Sequence, residues 1–277
     1  MRLKRISQTL LTQYKTLEQG PGLGDFLRGA IAIAEYAIEC GADFSLDLAQ
    51  HPIGCFLCDT APYVRRDTDE VYEYFNHHPA SLWEHLERAV GDFCVATNAF
   101  PRGVRADDAT RLVAKRFRPQ PELHDRVDQF AHGINDGRFV TMHLRSGDPE
   151  LFAQLSLEPS GDAYQRVHKA CKRLENDVLP ALGLVPDEVL VVSDNILLID
   201  MLRNSSSGIH VLPGTPRHLS AIRDAESARV LLESFFVMAQ ARHIFQYTVY
   251  EWGSGFSDMC ARLYDVPLTR RSTNELL

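Results

Sequence analysis

Arg138-Phe139-Val140-Thr141-Met142-His143-Leu144-Arg145-Ser146-Gly147-Asp148 is the stretch on which the reading of this chain turns. A β-branched and apolar run stops abruptly in His-x-Arg-x-Gly-Asp. The pattern predicts a buried strand whose carboxyl end delivers polar side chains into a crevice, because ligands of open α/β sheets bind at the carboxyl ends of the strands. Arg145 offers a planar, permanently charged fork that matches phosphate oxygens. Gly147 permits a tight turn, and Asp148 can orient the arginine or a ligand hydroxyl. Taken alone, the same six residues also describe a strand end closed by an Arg–Asp salt bridge.

On either side of this strand, helices and strands alternate. A first strand is predicted over 14–19, followed by the turn Gly20-Pro21-Gly22-Leu23-Gly24-Asp25. A helix is predicted over 25–40, where Phe26, Leu27, Ala30, Ile31, Ala34, Ala37 and Ile38 recur at helical spacing, with Gly41 as its stop. A strand over 42–48 completes a βαβ unit. Residues 51–79 read as loop. Helices follow over 81–90, 107–116 and 122–131, with a strand over 93–98. Pro119 and Pro121 break the pattern, and Gly133-Ile134-Asn135-Asp136-Gly137 is turn chemistry. Beyond the His143 strand come helices over 162–179, 196–203 and 227–241. Between them lie the apolar strand that ends in Ser193-Asp194-Asn195 and strands over 209–212 and 243–247. A last helix opens at Gly253-Ser254-Gly255-Phe256-Ser257. Two βα series in tandem predict an α/β protein with two doubly wound domains facing a cleft, 1–132 and 133–277.

Composition excludes several classes. The 277 residues are 45% hydrophobic and 24% charged, ordinary for a globular protein. A net charge of −8 argues against a general nucleic-acid binder, whose affinity rests on neutralising phosphates. Cys55 and Cys58 form the one C-x-x-C pair, without the second pair that structural zinc needs, and His77-His78 has the wrong spacing to complete it. The basic N-terminus is followed by Ser7, Gln8, Thr9 and Thr12 rather than by an apolar run, and no stretch approaches the ~20 apolar residues of a membrane span. The expectation is a cytoplasmic chain with no membrane span and no nucleic-acid partner.

Three more local features suit an anion. Gly22 and Gly24 allow close approach to a helix start with its backbone donors and favourable dipole. Ser193 and Asp194 close one strand. Ser254, Gly255, Phe256 and Ser257 stand where another strand turns into a helix. Each has an ordinary reading as turn or cap chemistry. Their order resembles the fucosyltransferase superfamily of α-1,2-, α-1,6- and protein O-fucosyltransferases, whose members carry G-x-G-N, then H-x-R-x-G-D, S-D-D and S-S-F-S. Phe117-Arg118-Pro119 is similar to that family's phenylalanine–basic–proline linker, and the resemblance spans 20–263. The chain departs from the pattern at Asp25, Asn195, Gly255 and Asp258-Met259.

The resemblance implies a GT-B architecture, with an acceptor-side first domain and a second domain that binds the nucleotide-sugar. It implies an inverting transfer of fucose from GDP-fucose to a glycan or other hydroxyl acceptor. Arg145 is then the catalytic candidate. Donor-site candidates are Gly22, Gly24, Asp25, His143, Arg145, Gly147, Asp148, Ser193, Asp194, Ser254, Gly255, Phe256 and Ser257, with Asp194 at the nucleoside. Asp25 and Glu18 are the carboxylates to weigh as general base. No cofactor or metal is expected, and Asp67-Thr68-Asp69, although spelled D-x-D, reads as a solvated loop. A transferase for another nucleotide sugar and a non-catalytic nucleotide- or glycan-binding protein of the same fold remain open at this point.

Overall fold

Two parallel sheets organise the chain in the computed structural model, which describes residues 3–17, 20–58, 70–75, 79–145, 162–205, 207–214, 217–248 and 250–272. They belong to two compact units. The first comprises Met1–Leu123, His218–Leu232 and Arg262–Tyr264, and the second comprises His124–Arg217, Glu233–Ala261 and Asp265–Leu277.

In the first unit the strands are β1 (Leu3–Thr9), β2 (Asp43–Asp47), β3 (Val71–Tyr74) and β4 (Gly91–Thr97). They lie in the order β2-β1-β4-β3 with every pairing parallel. The opening strand is thus not the predicted 14–19. Residues 14–17 lie outside any strand, and Glu18 and Gln19 fall outside the described residues. β1 escapes a hydrophobic reading because its inner end is polar. Ser7 meets Ser45 Oγ at 2.8 Å, Gln8 donates to the Thr97 carbonyl at 2.8 Å, and the Thr9 hydroxyl reaches Asp47 at 3.4 Å. These cross-strand bonds satisfy the Ser7 and Thr9 hydroxyls and the Gln8 side-chain N–H, which would otherwise be costly to bury, while Gln8 Oε1 has no partner among the described residues.

Helix α1 (Leu23–Cys40) buries nearly its whole circumference, with Phe26, Leu27, Ala30, Ile31, Ile33 and Ala34 closed to solvent. Each large apolar side chain contributes roughly 1.5–3 kcal/mol. The helix stops at Gly41 in the left-handed region (φ 70°), and the Ala42 amide donates back to the Ala37 carbonyl at 2.9 Å. Glu35, fully buried on α1, accepts the backbone amides of Arg102 and of Arg105, the latter at 2.9 Å. Its charge therefore sits at the start of α3 (Ala106–Arg116), where the helix dipole favours an anion. Helix α2 (Pro79–Arg88) precedes β4. Leu57 and Pro119 form an antiparallel bridge, which fixes Phe117-Arg118-Pro119 in this unit.

The second unit carries β5 (Val140–Arg145), β6 (Val189–Ser193), β7 (His210–Val211), β8 (Ile244–Thr248) and β9 (Leu268–Ser272). Their order is β7-β6-β5-β8-β9, all parallel, equivalent to the 3-2-1-4-5 run of a dinucleotide-binding sheet. Strand order reverses at β5, so the crevice for a ligand lies at the carboxyl ends of β5 and β8. On β5, Val140, Met142 and Leu144 pack into an apolar cluster with Val189, Val191 and Leu174. By the period-two rule, Thr141, His143 and Arg145 take the other face. Helices α4 (Pro121–His132), α5 (Asp162–Arg173), α6 (Ile196–Asn204), α7 (Ala225–Met238) and α8 (Gly255–Tyr264) complete the alternation. The chain continues from α5 through a π-turn over Leu174–Val178, just before Pro180, which has no amide to give a regular helix.

The predicted α/β class and most elements match. β3 and β9 were not anticipated, since each is a short strand interrupted by charged or polar residues. The first long segment of the first compact unit ends at Leu123. α4 goes with the second unit, where Gln240 donates to Asp128 at 2.6 Å and Arg126 pairs with Glu233 at 2.5 Å. The later segments 218–232 and 262–264 also join the first unit, and no local sequence signal marks them.

One position tests how closely α1 is seated. A Cβ added at Gly29 would lie 1.9 Å from the Thr97 carbonyl oxygen, whereas at Gly41 it would meet nothing. Gly29→Ala should destabilise the protein in urea by about 3 kcal/mol, the upper range of overpacking. Gly41→Ala should lose about 1 kcal/mol, from backbone strain alone. Equal losses in the two variants would contradict this packing.

Candidate functional site

The ends of β6, β5 and β8, three neighbouring strands, gather most of the polar residues singled out in the second unit. Arg145 is the last residue of β5, and its guanidinium makes an ion pair with Asp194, the first residue after β6. Both side chains keep contact with solvent, at 26% and 19% exposure. Ser193 is buried beneath them; its hydroxyl donates to the Leu144 carbonyl at 2.7 Å and accepts the Asn195 amide at 3.1 Å. Asn195 caps α6, accepting the Leu198 amide at 3.0 Å. The Ser-Asp-Asn triplet thus divides its labour: Ser193 ties two strand ends, Asn195 caps a helix, and Asp194 holds the arginine.

Beyond β8 the backbone turns through Gly253 (φ 90°) to Ser254, the N-cap of α8, which makes no side-chain capping bond. The first-turn amides of α8 are therefore not satisfied by a cap, the usual state of an anion-binding helix start. Gln246, in the middle of β8, braces this start. Its side-chain amide donates to the Ser254 carbonyl at 3.1 Å, to Ser257 Oγ at 2.7 Å and to Asp258 at 2.9 Å, while its oxygen accepts the Ser254 amide at 3.0 Å. Gln246 was not anticipated, although a lone amide in the run Ile-Phe-Gln-Tyr-Thr is the signal that marks it.

His143 and Ser257 share a buried hydrogen bond of 2.8 Å, and Phe256 lies between His143 and Phe235, its ring centroid 5.6 Å and 5.2 Å from theirs. Burial, reinforced by the Arg145 charge, lowers the His143 pKa to about 3. The imidazole is therefore neutral near pH 7 and positions the α8 start rather than adding a second positive charge. Gly255 begins α8. Gly147 and Asp148 lie outside the described residues, as do Glu18 and Asp67-Thr68-Asp69.

In the first unit, Gly22 is the N-cap of α1, again without a side-chain cap, and a Cβ there would stand 3.0 Å from His218 Nε2. Gly24 is buried in the first turn, and Asp25 pairs with Arg28 at 2.9 Å. The second unit also holds a pocket of about 360 Å³, within the range of small-molecule sites, lined by Arg126, Phe130, His210, Leu212, Pro213 and Glu233 among others. Glu233 is a buried carboxylate there, inconspicuous in the sequence because it sits inside an apolar helical run. Among the described residues, no group of three or more His, Cys, Asp or Glu side chains could hold a metal ion, and no helix is long and apolar enough to cross a membrane.

Neither a protein-family model nor a curated protein matches the chain by sequence. Solved structures do match it by fold. The fucosyltransferase NodZ from Bradyrhizobium aligns with a TM-score of 0.57 at 13% identity, over 94% of this chain and 92% of that one. An Arabidopsis thaliana FUT1 mutant in complex with GDP aligns at 0.56 and 12% identity, over 98% and 70% of the two chains. POFUT1 in complex with GDP aligns at 0.51 and 12% identity, over 96% and 98%. The chain has the α/β, GT-B-like fold of these proteins.

The buried imidazole sets a pH limit. Above its ordinary pKa of 6.5, His143 is neutral in both folded and unfolded chains. As the pH falls from 6.5 towards 3, the unfolded chain takes up a proton that the folded one refuses, so stability is lost by up to about 1.4 kcal/mol per pH unit. His51, whose pKa burial lowers to about 4, adds a contribution of the same sign. Denaturant unfolding of His143→Gln at pH 6 and pH 4 should show a shallower acid-side loss than the parent chain. An unchanged slope would mean that His143 is protonated in the folded state.

Proposed function

We propose that the chain is an inverting glycosyltransferase that takes fucose from GDP-fucose and passes it to a hydroxyl acceptor. The observation that carries the reading is the row of strand ends in the second unit. Asp194, Arg145 and the uncapped start of α8 follow β6, β5 and β8, beside the point where strand order reverses. A diphosphate needs such an arrangement: a fixed cation, backbone donors and a helix dipole of the right sign. The fucosyltransferase names and GDP complexes of the fold relatives support the choice of donor.

In the transfer, the acceptor hydroxyl attacks the anomeric carbon as the bond from that carbon to the β-phosphate oxygen breaks. The bonding electrons leave with GDP, and negative charge grows on the β-phosphate. Arg145, pre-aimed by Asp194, and the amides of α8 are the groups assigned to stabilise it, because fixed donors aimed at developing charge are often the largest single catalytic contribution. This role needs no divalent ion, so turnover should survive EDTA. The acceptor side is assigned to the first unit, and Asp25 and Glu18 stay the candidates for the base that takes the departing proton.

Base recognition follows from what remains. Asp194, the nucleoside candidate from the sequence, is paired with Arg145 as Glu233 is with Arg126, so pairing does not separate the two carboxylates. We assign guanine to the pocket that holds Glu233, since that carboxylate is the more buried of the two, at 6% exposure against 19%, and its oxygens beside Arg126 can accept the N1 and N2 protons of guanine while uracil offers one.

The test is GDP release from GDP-fucose, with and without acceptor glycans. Arg145→Lys keeps the charge and loses the bidentate fork, and turnover should fall at least about 100-fold with the fold intact. Near-parental turnover in that variant would remove Arg145 from the reaction. Tight GDP binding by the parent chain with no consumption of GDP-fucose would identify a binding protein on this fold.

A further inference from the structure

Trp252 is among the most exposed large apolar side chains described, at 75% of its surface, and it stands two residues before the N-cap of α8. Its presentation is built rather than loose. The Gly253 amide donates to the Tyr250 carbonyl at 3.1 Å, closing a turn, and the Tyr250 amide donates to Thr248 Oγ1 at 3.1 Å. Tyr250 stacks on the indole with ring centroids 5.1 Å apart and planes 23° apart. A Cβ at Gly253 would lie 2.7 Å from Gln246 Oε1, so the backbone beyond the indole is pressed onto the side chain that organises the α8 start. A rigid turn that holds a large aromatic in water suits a binding surface.

We propose that Tyr250, Glu251 and Trp252 form a platform for a pyranose ring at the margin of the donor site, an inference that rests on the donor reading above. The chemistry of the turn selects the occupant. The exposed Glu251 carboxylate repels phosphate but accepts hydrogen bonds from hydroxyls, and the indole takes the C–H face of a ring. A neutral, polyhydroxylated ring has both surfaces. Sheet order selects it again. With the diphosphate at the ends of β5 and β8 and the nucleoside towards β6 and β7, the end of the ligand that reaches the turn after β8 is the sugar end. That ring is either the sugar carried by the donor or one belonging to the acceptor.

The chain has two tryptophans, Trp83 and Trp252, so Trp83→Phe leaves the indole in question as the sole fluorescent tryptophan. Titrations of that variant would use GDP, GDP-fucose, and the disaccharides lactose, cellobiose and diacetylchitobiose, with calorimetry of GDP and GDP-fucose in parallel. A change in emission with GDP-fucose beyond that with GDP assigns the platform to the donor sugar. A change with a disaccharide assigns it to the acceptor. In either case Trp252→Ala should weaken the sugar-dependent part of binding about tenfold, Trp252→Phe should restore most of it, and neither should move the unfolding midpoint. Equal responses to GDP and GDP-fucose, with none to disaccharides, would overturn the platform. So would an unresponsive indole while calorimetry registers GDP-fucose binding, and the donor reading would then survive. Absence of GDP and GDP-fucose binding by calorimetry would instead sink the donor reading, and silence towards the disaccharides as well would sink both.

Discussion

The ion pair between Arg145 and Asp194 is the interaction on which the second unit's site depends. A guanidinium at the end of a buried strand is held far from bulk water on one side and could fold back onto backbone carbonyls. Asp194, delivered by the neighbouring parallel strand, fixes its direction. Because β5 and β6 are in register from Val140↔Val189 to Leu144↔Ser193, the two charges arrive at the same level of the sheet. Partial exposure of both groups limits the desolvation cost that a fully buried pair would incur. An anion that enters beside this pair meets a cation already oriented, so less ordering remains to be done on binding.

Around that pair, many of the polar residues are occupied with one another. Ser193 and Asn195 form one buried set of hydrogen bonds that fixes the β5 and β6 ends, and His143, Gln246 and Ser257 form another that sets the α8 start. Their roles explain why a motif may contain several polar residues of which few need touch a ligand. Arg145, the α8 amides and Trp252 have chemistry directed outward. The neutral state of His143 belongs to the same logic, since burial and the nearby Arg145 charge both disfavour its protonated form.

Much of this was legible in the sequence where local physics and tertiary packing agree. α1 could be placed from its apolar spacing and from Gly41, and β5 from its continuous apolar run and abrupt polar end. β1 could not, because Ser7, Gln8 and Thr9 are buried through bonds to Ser45, Thr97 and Asp47, partners as many as 89 residues away. The order of the motifs pointed to three strand ends that prove to be neighbours, yet the division of roles among Ser193, Asp194 and Asn195 required the geometry. Glu233 and Gln246 were hidden for a related reason: each is one polar residue inside an apolar element, a pattern that alone cannot separate a brace from a binding group. α4 joins the second compact unit through Asp128 and Arg126, exposed charges with no periodic signature in the sequence.

The central claim is that the second unit holds a guanine nucleotide through its diphosphate and its base. Calorimetric titration of the unaltered chain with GDP, UDP and ADP tests it most directly, repeated with Glu233→Gln. GDP should bind at least about tenfold more tightly than the other two, the worth of one good buried hydrogen bond to a charged group, and the preference should shrink in the variant. Equal affinities for the three nucleotides, or no binding of any, would contradict it.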